Sequence, residues 1–173
     1  MVYYQGCTVS FQEVPDEVSL VISIADCPHR CPGCHSPQLQ KPEGNNLKKD
    51  INQLIAKYAD VITCVCFMGE GQDIETMHML IKYVHNLGYK TCWYTGRTPE
   101  ENRMLPVVLD YYKYGPYIEE LGGLDSPTTN QRMIQFGRGP ICQPSSDPDC
   151  ICDVIYGVPT ATDITYKFQQ KKD

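Results

Sequence analysis

The 173-residue chain has little of what several function classes require. Its longest apolar stretch, around residues 18–25, is far too short for a membrane helix, which needs ~20 such residues. The opening Met1-Val2-Tyr3-Tyr4-Gln5 has no basic flank and no apolar core of a secretory leader. Basic residues are few: 15 Lys and Arg against 21 Asp and Glu leave a net charge of −6. That balance argues against nucleic acid as a partner, because neutralising phosphates takes a basic surface. There is no internal repeat, no low-complexity tract, no second Cys-x-x-Cys and no clear His/Asp/Ser constellation for acid–base or nucleophilic catalysis. These absences leave a cytoplasmic protein with protein or small-molecule partners.

What the chain does have is cysteine, ten in all. With no secretory leader this is not read as a disulfide scaffold, and in a reducing compartment clustered cysteines suggest metal or redox chemistry. Three of them form Cys27-Pro28-His29-Arg30-Cys31-Pro32-Gly33-Cys34, directly after the apolar, β-branched run 18–24. That run reads as a strand buried on both faces. Pro28, Pro32 and Gly33 keep the following loop out of strand and helix, so three thiols can face one point as it curls. Structural zinc usually takes four ligands in two pairs, and a ferredoxin cluster takes four thiolates. Three thiols from one loop leave the fourth iron of a [4Fe–4S] cluster open to a small molecule.

The rest of the chain reads as strand and helix in alternation. A weak pattern near residues 7–11 suggests an edge strand, with Cys7 as a packed thiol. Leu47, Ile51, Leu54, Ile55 and Tyr58 recur at helical spacing behind Asn46, a fitting cap. Residues 61–67 form a second strand, with Cys64 and Cys66 on one side as packed core. A helix over 74–87 follows, carrying His78 and His85 and ending at Gly88. Residues 90–94 form a third strand. Thr98-Pro99-Glu100-Glu101 opens a short helix that Pro106 stops, and 107–112 is a fourth strand. The order β–α–β–α–β–α–β implies parallel strands with right-handed crossovers. The expected fold is therefore α/β: a partial (β/α) barrel with a mostly parallel curved sheet. One domain spans 1–173. Residues 138–173 form a Cys-containing C-terminal extension, broken by glycine and proline, with a last short strand over 164–168. Within it Cys142, Cys150 and Cys152 are candidates for a second metal site, or free thiols in a partner-contact tail.

The Cys-x-x-x-Cys-x-x-Cys spacing resembles the signature of the radical S-adenosylmethionine (SAM) superfamily. Met68-Gly69-Glu70-Gly71, one strand–helix unit later, resembles the glycine-rich element that holds the SAM amino group there, although the usual form is closer to Gly-Gly-Glu. Tyr94-Thr95-Gly96 lies where that family contacts the SAM ribose. Cys31-Pro32-Gly33-Cys34-His35 is like one branch, the activating enzymes of anaerobic ribonucleotide reductases. Tyr114-Gly115-Pro116-Tyr117-Ile118 and Thr129-Asn130-Gln131-Arg132 look similar to the same branch.

The resemblance implies a [4Fe–4S] cluster on Cys27, Cys31 and Cys34, with SAM held among Gly33, His35, Met68, Gly69, Glu70, Gly71 and Thr95. It implies that an electron, from a donor such as a flavodoxin or ferredoxin, cleaves SAM to methionine and a 5′-deoxyadenosyl radical. That radical takes a hydrogen atom from a glycine of the large reductase subunit and leaves a glycyl radical. No acid–base pair is then required of the protein. Two alternatives stand beside it. One is a small radical SAM enzyme acting on a free metabolite. The other is a non-catalytic iron–sulfur or zinc module, with a fourth ligand from Cys7, Cys64, Cys66 or Cys92.

Overall fold

The computed structural model describes residues 1–99, 101, 109–137 and 161–169. Its strands are β1 (Tyr3–Ser10), β2 (Ser19–Ile24), β3 (Asn45–Asn46), β4 (Cys64–Met68), β5 (Lys90–Tyr94), β6 (Tyr111–Tyr114), β7 (Arg132–Phe136) and β8 (Ala161–Asp163). Its helices are α1 (Leu47–Tyr58) and α2 (Ile74–Asn86). The strands form one sheet in the order β3-β1-β2-β4-β5-β6-β7-β8.

This sheet overturns the expected mostly parallel partial barrel. Only the three central pairings, β2 with β4, β4 with β5 and β5 with β6, are parallel. The four outer pairings are antiparallel, so the sheet is mixed. The helix complement is also small, two α-helices among the described residues. Strand–helix alternation governs only the middle of the chain. The flanks return as antiparallel neighbours, which need no crossover helix. β1 also conceals its period, because a register shift between Tyr4 and Gly6 breaks the alternation of faces.

The two helices form where caps and apolar spacing agree. Asn46 Oδ1 accepts from Lys48 N at 3.0 Å, and α1 buries Leu47, Ile51 and Ile55. Asp73 caps α2, which buries Met77, Leu80, Ile81 and Val84. Gly88 ends α2 with φ +91°, its N–H donating to His85 O at 2.9 Å. Both helices pack on the sheet face made by Leu20, Ile22, Ile24, Val65, Phe67 and Trp93. The opposite face carries Val21, Cys64, Cys66, Cys92, Tyr111 and Met133, with Val14 and Ile164 from the connecting segments packed in the same cluster. Cys64 and Cys66 are buried core, and Cys7 is half-buried against the helical side. His78 packs edge-on to Trp93, ring centroids 5.8 Å apart.

Smaller expectations shift. The fourth strand is Tyr111–Tyr114 rather than 107–112, and residues 102–108 lie outside the described part. Glu101 Oε2 does accept from Thr98 N at 2.8 Å, half of the expected capping box, while the helix it would open lies mostly outside the described residues. The expected strand over 164–168 is a 3₁₀ turn, Thr165–Lys167, preceded by β8. No helix among the described residues is long and apolar enough to cross a membrane.

Candidate functional site

The Cys loop leaves β2 at the carboxyl edge of the parallel strands, where ligand loops of α/β sheets gather. Its base is tied to the segment before β3: Asp26 N donates to Lys41 O and Cys27 N to Leu39 O, both at 3.0 Å. Asp26 and Arg30 hold left-handed conformations with φ +64° and +47°, and these bends curl the loop. Inside the curl Cys34 N donates to Cys31 O at 3.3 Å.

The next loop on the same edge follows β4. Gly69 has φ +111°, and a Cβ there would stand 2.7 Å from Ile24 O, so only glycine lets this loop lie against the end of β2. Gly69 N donates to Tyr94 O at 3.1 Å, and Trp93 Nε1 donates to Gly69 O at 3.0 Å. The loop is thereby fastened to β5 as well. Gln72 Nε2 donates to Asp26 Oδ1 at 2.8 Å and closes the tie back to the Cys loop.

These loops surround a cavity of about 180 Å³. Cys27, Cys31 and Cys34 line it together with His35, Met68, Gly69, Glu70 and Thr95, so most of the residues singled out in the sequence converge. Two do not line it: Gly33 stands beside the Glu119 side chain, and Gly71 lies against Ile24. Cys142, Cys150 and Cys152 lie outside the described residues. Residues to which the sequence assigned no site role also line the cavity. His29 belongs to the Cys loop, Lys113 to β6, and the Tyr117 ring is tilted against His35 with ring centroids 5.1 Å apart. His29 had a signal in the sequence, its place inside the cysteine triplet. Lys113 had only the alternation of Tyr112-Lys113-Tyr114.

The two later stretches prove to be neighbours. Asn130 Nδ2 donates to Pro116 O at 2.9 Å and Gln131 Nε2 to Gly115 O at 3.2 Å. Gly115, Pro116, Tyr117 and Gln131 from these stretches line the cavity.

The electrostatics pull in two directions. Burial pushes the Cys27 thiol above its ordinary range. Burial also draws the Lys113 ammonium down to about 8, while the thiols of Cys31 and Cys34 act to hold its charge. A thiol raised by burial becomes a thiolate when a metal binds it, since the cation supplies the missing charge. Glu70 is 1% exposed and accepts from three side chains: Thr95 Oγ1 at 2.5 Å, His29 Nε2 at 2.8 Å, and Arg97 Nε.

Among the described residues no three His, Cys, Asp or Glu side chains are arranged to hold a single metal ion. A cubane cluster makes a different demand, because each thiolate takes its own iron and the ligands stand apart around the cluster. Three half-buried thiols lining the cavity match that donor type and would supply three of the four ligands of a [4Fe–4S] cluster. No family model, curated protein or solved structure matches the chain.

Proposed function

We propose that the chain is a radical SAM activase that installs a glycyl radical on an anaerobic ribonucleotide reductase. The observation that carries this reading is the convergence of Cys27, Cys31 and Cys34 with the Met68–Gly69–Glu70 turn and Thr95 on one cavity. Cys27, Cys31 and Cys34 would hold a [4Fe–4S] cluster, and Met68, Gly69, Thr95 and His35 would flank SAM beside it. When bound and reduced, the cluster supplies the electron that cleaves SAM.

The chain's own residues bind and shield. The left-handed bends turn the thiols inward, and the Lys113 ammonium offsets the negative charge that three thiolates bring into a partly buried site. Met68 and Ile24 line the cavity with apolar surface and exclude water from it. The large reductase subunit is the proposed partner, docking a glycine-bearing loop at the cavity, with a flavodoxin- or ferredoxin-type protein as electron donor.

The test is anaerobic reconstitution with iron and sulfide, followed by reduction and addition of SAM. Perturbation of the reduced cluster's paramagnetic resonance by SAM, with release of 5′-deoxyadenosine, is the expected result. Adding the reductase subunit then yields a glycyl radical signal. A cluster blind to SAM refutes the activase and leaves an electron carrier. Tightly bound zinc alone leaves an interaction module.

A further inference from the structure

Glu70 is built into the wall of the cavity more firmly than a ligand contact requires. Its Oε1 accepts from the Arg97 guanidinium, and its Oε2 accepts from Thr95 Oγ1 at 2.5 Å and from His29 Nε2 at 2.8 Å. Thr95 Oγ1 in turn accepts from Arg97 N at 3.0 Å, so the donors are themselves linked. A carboxylate offers about four lone-pair positions, and three are taken by side chains of this chain. Of the three donors only His29 comes from the Cys loop, midway between Cys27 and Cys31. The imidazole lies directly against Gly96, where an added Cβ would stand 2.5 Å from its Cδ2. His29 is thus held between the backbone at Gly96 and the carboxylate of Glu70.

We infer that Glu70 is a positioning residue. Through His29 it pins the Cys27–Cys31 span to the ends of β4 and β5, and so sets where these two thiols stand. Arg97 and Thr95 hold the carboxylate in the orientation that meets the imidazole. The consequence for a cluster rests on the proposed function, whereas the pin is a property of the metal-free chain.

The experiment therefore starts without metal. The full chain, reduced and anaerobic, is treated with iodoacetamide, and alkylation of each cysteine is followed by mass spectrometry. In both Glu70→Ala and His29→Ala, Cys27 and Cys31 react several-fold faster than in the wild type. The double variant is no faster than either single one, because one contact has been removed twice. His29→Gln keeps a donor near the Nε2 position and returns the rates toward wild type. Cys7, half-buried elsewhere, is unchanged and reports that the fold is intact. If Glu70→Ala does not fold, Gly96→Ala replaces it, displacing the imidazole while leaving both partners in place.

After reconstitution, iron release to a chelator rises roughly 10- to 100-fold in His29→Ala and Glu70→Ala, the usual cost of losing support behind a metal ligand. Unchanged alkylation in both single variants overturns the inference. So does a Glu70→Ala variant that loses SAM affinity while His29→Ala matches the wild type throughout, for Glu70 would then be the ligand itself. A wild type that takes up no cluster refutes the proposed function alone, because the alkylation rates still decide the pin.

Discussion

At the scale of the residue, Gly69 carries two constraints at once. Its φ of +111° lies where side-chain-bearing residues are strained, and the space a Cβ would need is held by the backbone carbonyl of Ile24, which cannot swing aside. Gly69→Ala is expected to destabilise the chain by about 1–3 kcal/mol, the scale of such backbone strain. Urea unfolding followed by fluorescence of Trp93, which donates to Gly69 O, measures the loss. The thiols divide in the same local terms. Cys64 and Cys92 are fully buried and burial pushes both well up, so they are packing residues, whereas Cys27, Cys31 and Cys34 are half-buried at a cavity. The sequence read Cys64 and Cys66 as packed core from their place on one side of a strand, and both are buried there; Cys92, named in the sequence only as a possible fourth ligand, is buried in the same cluster.

At the scale of the element, α2 is started by one side chain. Asp73 accepts from Thr76 N at 3.1 Å and Thr76 Oγ1 at 2.8 Å, and it pairs with the Met1 ammonium. That ammonium first, then Thr76, draws the Asp73 carboxyl from its ordinary 3.8 down to about 2. The folded-state value lies below the unfolded one, so the stabilisation is complete above about pH 4 and is lost as pH falls through about 2. Asp73→Asn keeps the cap and removes the charge. Its thermal midpoint is expected to fall less steeply than the wild type's between pH 4 and pH 2, the two curves converging at the acid end. Melting by circular dichroism across that range is the measurement. The caps on α1 and α2 lie next to strong helical periodicity, which is why both elements were legible within a residue or two. β6 was displaced because its four residues, Tyr111–Tyr114, follow a stretch with no punctuation but Pro106.

At the scale of the whole molecule, the sheet has a parallel centre and antiparallel margins. β2, β4 and β5 bury nearly every residue, while β3 has two residues and β8 three, all of the latter exposed. Amide hydrogen exchange is expected to be slowest in β2, β4 and β5 and fastest in β3 and β8, because protection follows burial and pairing on both sides. Comparable protection in β8 and β4 would refute this order. The sheet places all the cavity loops on one edge, since parallel strands send every carboxyl end the same way.

The sequence by itself determined the local features: the two helices and their apolar faces, the core strands, and a three-thiol loop made from proline, glycine and cysteine at fixed spacing. Each follows from interactions among residues close along the chain. Only the tertiary structure decided the mixed character of the sheet, because β1, β7 and β8 take their direction from partners elsewhere in the chain and not from their own weak patterns. It also decided which polar residues meet. His29, Glu70, Thr95 and Arg97 come from three loops, and Gly115 meets Gln131 across sixteen positions. No periodicity links such residues; they meet because parallel strands bring their loops to one edge.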